Sequence, residues 1–234
     1  MEAAAGEGAL SWRERGRPPA RAWALAEMLL AGAILGAALA GYVPLSPTPW
    51  LLTVAAVFLW WRGPGWGGIG LTRPDRTARV LAIGIATGIG YQFLGLYVVE
   101  PLIAAVSGRL PDASMFRSVI GDEWRLVFWL AMSWTLAAFM EEMVYRGWIL
   151  TRLAELGRFS TTGWTAGVLG SSALFGAAHL YQGASGVVAT GLTGLVFALV
   201  YLATGRNLWA SILAHGFLDT AGFLLIYFGV YPGL

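Results

Sequence analysis

Apolar residues in this chain are gathered into long runs, separated by short polar stretches that carry most of the charge. The runs occupy residues 22–42, 49–61, 80–106, 126–153, 164–181, 187–203 and 208–231. Most reach the roughly 20 residues that a helix needs to cross the hydrocarbon of a bilayer. The pattern predicts an all-α, polytopic transmembrane bundle of seven helices, or eight if the third run breaks near Glu100-Pro101. The run at 49–61 is short; it either extends back to Val43 or stops partway through the membrane. Residues 1–21 read as a polar N-terminal tail, 22–124 as a first group of membrane helices, and 125–234 as a second group that holds the candidate chemistry. Ala38-Leu39-Ala40 looks like a small-residue cleavage site, but the run before it is long and the tail contains acids, which favours a retained signal anchor.

Composition agrees with a membrane protein. The chain is 57% hydrophobic and only 12% charged, and a soluble domain of that balance would precipitate. Trp50, Trp60, Trp61, Trp124, Trp148, Trp164 and Trp209 fall near predicted span ends, where indole rings favour the headgroup region. Gly32-x3-Gly36 and Gly84-x3-Gly88 suit close helix packing. Gly63 to Gly70 lacks the flanking strand, helix and Lys-Ser/Thr of a phosphate loop and reads as a turn. No cysteine is present, so disulfides and thiolate sites are excluded.

All 15 basic residues are arginines, scattered over short loops and not along one face, so nucleic acid binding has no support. Their use is topological. With seven crossings, eleven arginines (13, 15, 17, 21, 62, 73, 76, 79, 152, 158 and 206) fall at the N-terminal side of the membrane. Only Arg109, Arg117 and Arg125 fall at the other, which predicts a cytoplasmic N-terminus in a cell membrane.

A few ionisable residues interrupt the apolar runs. A carboxylate or guanidinium at a helix centre costs roughly 2.5 to 3.5 kcal/mol on insertion scales, against about 0.3 to 0.6 returned by a Leu or Phe. Glu141, Glu142 and Arg146 share one run. At about 100° per residue, Glu142 and Arg146 lie on one helix face and can neutralise each other, whereas Glu141 points away without a partner on its own helix. The two histidines of the chain fall on later runs: His179, four residues after Phe175, and His215, four residues before Asp219. A bare carboxylate and two imidazoles from three helices are the elements needed to activate a water molecule. Glu27 and Glu100 lie near predicted run ends and are expected to reach an interface by snorkelling.

Glu141-Glu142-x3-Arg146, Phe175-x3-His179 and His215-x3-Asp219, in that order on successive helices, resemble the motifs of the CAAX prenyl endopeptidase and bacteriocin-processing (CPBP or Abi) family. Tyr145-Arg146-Gly147 and Thr204-Gly205-Arg206-Asn207-Leu208 fit the same pattern, and the likeness covers about residues 125–225. It implies a membrane-embedded protease whose catalytic residues are Glu141, Glu142, Arg146, His179, His215 and Asp219, acting on a peptide or prenylated peptide among membrane lipids. Glu141 would take a proton from water held with His179, Glu142 and Arg146 would orient the cluster, and His215 with Asp219 would stabilise the oxyanion. Asp219 stands where the family more often has Asn; an ionised Asp cannot donate a hydrogen bond, so either Asp219 stays protonated or, the favoured reading, it holds His215 as an imidazolium that donates instead. Two alternatives stay open at this point: a zinc ion held by Glu and His, and a noncatalytic immunity or scaffold protein of the same fold. A proton-coupled transporter is disfavoured by the lack of repeated halves.

Overall fold

The computed structural model describes residues 20–44, 46–232 and 234. The expected tail, residues 1–21, lies outside the described residues except for Ala20 and Arg21. Among the described residues there is no strand. Seven helices follow one another: α1 (Ala20–Leu39), α2 (Thr48–Trp61), α3 (Thr77–Ser107), α4 (Glu123–Leu156), α5 (Thr161–Ala177), α6 (Gly183–Ala203) and α7 (Leu208–Tyr227). Five of the membrane-candidate segments are long and apolar enough to span a bilayer. Short 3₁₀ turns at Trp66–Ile69, Ser114–Val119 and Leu180–Gln182 punctuate the connections.

The third run does not break at Glu100-Pro101. Proline has no N–H for the carbonyl four residues back, and its ring crowds that carbonyl. The helix answers by widening over Gly95–Val99, where the Glu100 N–H reaches back five residues to the Gly95 carbonyl. The break near Glu100-Pro101 that would have split this run into two crossings is therefore absent, and α3 runs on to Ser107. α2 stops at Thr48, with Pro47 and Pro49 marking its start, and does not continue back to Val43. At about 21 Å, its 14 residues are shorter than the hydrocarbon, so its N-terminus ends inside the bundle.

Local caps set where the remaining helices begin. The Asp122 carboxylate accepts from the Arg125 N–H at 3.0 Å, the Ser160 hydroxyl from the Gly163 N–H at 3.1 Å, and the Asn207 side chain from the Trp209 N–H at 3.0 Å. Asn207 also donates to the Thr72 carbonyl at 3.0 Å, tying the start of α7 to the loop before α3. α3 and α7 then pack along their lengths. A Cβ on Gly84 would come within 2.5 Å of Leu213 Cβ, and one on Gly88 would collide with the Ala214 carbonyl. Gly84-x3-Gly88 is thus a packing seam, as its spacing predicts. Gly32-x3-Gly36 is not, because nothing lies within 4 Å of either glycine's missing Cβ.

Glu27 does not snorkel. It is fully buried, and one carboxylate oxygen accepts from Arg62 Nη1 at 2.6 Å while the other accepts from Trp148 Nε1 at 2.5 Å. Arg152 Nε lies 3.6 Å from the same group, and Glu155 bonds both Arg62 and Arg152. Arg21 Nε donates to the Leu156 carbonyl at 3.1 Å. Two carboxylates and two guanidiniums thus clamp α1, the end of α2 and the end of α4. The neighbourhood of arginines along the folded chain, not position within a run, decides that Glu27 stays inside. Trp148 is drawn in with it and is fully buried, not placed at the headgroups. Trp50, Trp60, Trp61 and Trp124 do remain exposed.

Removing one member of such a buried set leaves its partners uncompensated, at a cost of about 3 to 5 kcal/mol. Glu27→Ala is therefore expected to lower the unfolding temperature of the detergent-solubilised protein strongly, whereas Asp75→Ala, on an exposed turn, leaves it unchanged. Equal melting of the two variants would show that water reaches Glu27.

Candidate active site

α4 carries the first motif on an unusual stretch of backbone. Over Ser133–Ile149 its hydrogen bonds run five residues back, and the Leu150 N–H reaches the Tyr145 carbonyl. Wide turns of this kind are uncommon and recur at functional sites. Each residue turns less than in an α-helix, yet Glu142 and Arg146 still meet: Arg146 Nη1 donates to Glu142 Oε1 at 2.6 Å. Both are almost fully buried, at 0% and 1% exposure.

The same Oε1 accepts from His215 Nδ1 at 2.9 Å. One carboxylate oxygen therefore joins α4 to α7, a link that no sequence spacing announces. His215 Nε2 lies 3.8 Å from Asp219 Oδ2, too far for a hydrogen bond but close enough for charge attraction. Since Nδ1 is committed to Glu142, only Nε2 of this ring remains for another partner.

Phe175 of α5 is the apolar hub of the site. The Arg146 guanidinium lies 4.2 Å from its ring centroid, and Phe197 of α6 supports that guanidinium at 5.3 Å. The His179 ring centroid is 4.7 Å from that of Phe175, and His215 meets the same ring edge-on at 5.9 Å. Close approach here depends on Gly194 of α6, where a Cβ would sit 3.1 Å from Phe175 Cδ1 and 3.3 Å from Arg146 Nη2.

His179 Nδ1 is 2.8 Å from the Phe175 carbonyl. A carbonyl only accepts, so Nδ1 carries the proton, and in the neutral ring Nε2 holds a lone pair. Glu141 is the least satisfied acid in the cluster. Its Oε1 has one long contact, from the Thr48 hydroxyl at 3.4 Å, and its buried Oε2 has no hydrogen-bond partner. The early stop of α2 is what brings Thr48 to this depth.

A cavity of about 450 Å³ opens beside these groups. Glu141, Phe175, His179, His215 and Asp219 line it, whereas Glu142 and Arg146 lie behind the wall. The six residues singled out from sequence thus divide into four on the cavity surface and two that hold a neighbour in place. Sequence reasoning passed over Thr48 and Phe197, which carry no ionisable group and no motif spacing. It also gave no structural task to Phe175, although the Phe-x3-His pattern contains it.

Among the described residues, no three His, Asp or Glu side chains form a group able to hold a metal ion. Both Nδ1 atoms are occupied, which leaves Nε2 as the only ring nitrogen of either histidine that could meet a metal, and Glu142 is shared between Arg146 and His215. The zinc alternative is left to the chelator experiment below, and no step here runs through a metal.

Residues 123–221 match the family model described as type II CAAX prenyl endopeptidase Rce1-like. This segment is Rce1-like. The match begins at the first residue of α4 and ends two residues beyond Asp219, so it contains the three motifs. No curated protein and no solved structure matches the chain. The apolar helices and the Rce1-like segment together support an integral membrane protein. α1 to α3 lie outside the matched segment, yet α2 supplies Thr48 to a residue within it, Glu141.

The two acids should respond oppositely to removal. Glu142→Ala strands Arg146 in the interior and is expected to destabilise the protein by about 3 to 5 kcal/mol. Glu141→Ala deletes a poorly satisfied carboxylate and should melt at or above the parent temperature, since reactive sites carry such costs. Thermal unfolding of both variants in one detergent checks this, and the reverse order would contradict the division between scaffold and cavity wall.

Proposed function

We propose that this protein is an intramembrane endopeptidase in which Glu141 activates water for attack on a peptide carbonyl. The observation that supports the reading is the convergence of Glu141, His179, His215 and Asp219 on one cavity, with Glu141 Oε2 left unpartnered at its wall. A water molecule there would donate one proton to Glu141 and its other to the lone pair on His179 Nε2. Its oxygen then bonds to the scissile carbonyl carbon, and Glu141 takes the proton it was offered. The carbonyl oxygen becomes an oxyanion facing His215 Nε2. When the tetrahedral carbon collapses, the C–N bond breaks and the proton held by Glu141 passes to the leaving nitrogen.

His215 donates to the oxyanion as an imidazolium. Nδ1–H is held by Glu142, and the charge is balanced by Asp219 at 3.8 Å from Nε2. Asp219 stays beyond hydrogen-bond reach of Nε2 and so leaves that donor to the substrate. One such donor is worth roughly 2.7 to 4 kcal/mol to the transition state. Glu142 and Arg146 act as positioning residues, because they reach the reacting atoms only through His215 and Phe175. The substrate is a peptide, prenylated or not, that reaches the cavity from within or beside the lipid. The protein sits in the cell membrane with its N-terminus in the cytoplasm.

Purified protein should cleave a panel of prenylated and unprenylated peptides. Glu141→Ala and His179→Ala are expected to remain folded and to lose at least about 10² in kcat, the scale of a lost acid–base group. Normal cutting by both variants would sink the mechanism. A chelator is expected to leave the wild-type rate unchanged; loss of activity that zinc restores would replace the glutamate mechanism with a metal one.

A further inference from the structure

The helices run alternately, and side-chain and backbone bonds assign each connection to one end of the bundle. At one end, Asp112 N–H donates to the Gln182 carbonyl at 3.0 Å, Gly121 N–H to the Tyr227 carbonyl at 3.0 Å, and the Ser107 and Ser185 hydroxyls meet at 3.0 Å. At the other end, Arg21 bonds the Leu156 carbonyl, Asn207 the Thr72 carbonyl, and the Leu208 N–H the Gly70 carbonyl at 3.0 Å. The cavity belongs to the first end. Ser46, Asp112, Phe116, Tyr181, Gln182 and Tyr231 line it, and they come from the connections and the C-terminal segment gathered there.

Arginine belongs to the second end. Arg21, Arg62, Arg73, Arg76, Arg79, Arg152, Arg158 and Arg206 all lie there, and Arg13, Arg15 and Arg17 precede α1 in the sequence. Pairing with Glu27 and Glu155 removes Arg62 and Arg152 from the balance without changing its direction. The cavity end has Arg109, Arg117 and Arg125, with Asp112, Asp122 and Glu123 beside them, and no arginine lines the cavity. Excess arginine retains a loop in the cytoplasm, so the cavity end is the translocated one.

We propose, building on the endopeptidase reading, that the cavity admits its substrate from the noncytoplasmic face of the membrane. The substrate class is then an exported peptide segment still attached to the membrane, not a cytoplasmic C-terminal tail. A cytoplasmic chain would meet the arginine-rich end, where the Glu27–Arg62–Glu155–Arg152 network fills the space between α1, α2 and α4. An exported segment meets the mouth directly and reaches Glu141 without crossing the bundle.

The chain has no cysteine, so single-cysteine variants report sidedness without any change to the native background. Ser118→Cys lies on the exposed turn before α4, and Thr161→Cys at the exposed start of α5. In intact host cells, a membrane-impermeant maleimide is expected to label Ser118→Cys and to reach Thr161→Cys only after permeabilisation. The opposite pattern overturns the proposal, whatever the protein's activity. A second arm presents one cleavable peptide on a single-span reporter, either outside or inside the cell. Cutting is expected only of the outside reporter in cells, and of both after detergent extraction. Cutting of the inside reporter alone in cells overturns the proposal. If neither reporter is cut even in detergent, the endopeptidase reading fails, and the labelling result still decides the orientation.

Discussion

Everything in this bundle answers to the cost of keeping charge where water is scarce. The interaction that meets that cost at the candidate site is a single oxygen, Glu142 Oε1, which accepts from both Arg146 and His215. Without Glu142 the guanidinium would lose its hydrogen-bonded counter-ion while still lying against the Phe175 and Phe197 rings, and His215 would lose the bond that orients its ring. With it, α4 and α7 are pinned together, and Phe175 brings α5 against the same pair. Buried ion pairs are poor stabilisers by themselves, because desolvation offsets most of the attraction. Their value here is geometric: one ring nitrogen is fixed so that the other faces the cavity.

The same helix solves the problem a second time at its other end. Glu155 and Arg152 of α4 meet Glu27 and Arg62, about 20 Å from Glu142 along the helix axis. α4 is thus anchored by charge at two depths, with its widened turns around the first and ending at Ile149 before the second. An element held so firmly can tolerate a badly satisfied acid: Oε2 of both Glu141 and Glu142 lacks a hydrogen-bond partner, but Glu142 Oε1 has two close donors and Glu141 Oε1 has one long contact. Glu142 Oε1 has two contacts near 3 Å or shorter, whereas Glu141 has one contact at 3.4 Å, and under the proposed mechanism that contrast separates a positioning residue from the base.

Much of this was legible before any coordinates. Apolar runs of about 20 residues leave few options for the backbone in lipid, so helices and their approximate bounds follow from hydropathy alone. The Glu142–Arg146 pair is also local, since four residues separate its members and even a widened turn keeps them on one face. The errors arose where a partner lay far along the chain. Glu27 looked like a residue near a run end, and only folding brings Arg62, Trp148 and Arg152 around it. Gly32 and Gly36 have the spacing of a packing motif, but among the described residues nothing lies within 4 Å of the Cβ that either would carry. Pro101 looked like a break, and a widened turn absorbed it.

By itself, then, the amino-acid order determined a helical membrane protein, the arginine asymmetry between its ends, and the identity of the few ionisable side chains that apolar runs had to bury. Those properties are sums over neighbouring residues, or pairs within one helical turn. Tertiary structure alone decided that Glu142 serves His215 as well as Arg146, that α2 ends where Thr48 can touch Glu141, and that Glu141, His179, His215 and Asp219 border one cavity. These are contacts between helices, 70 or more residues apart for the Glu142–His215 and Thr48–Glu141 bonds. Their geometry depends on how whole helices pack, which no local pattern encodes.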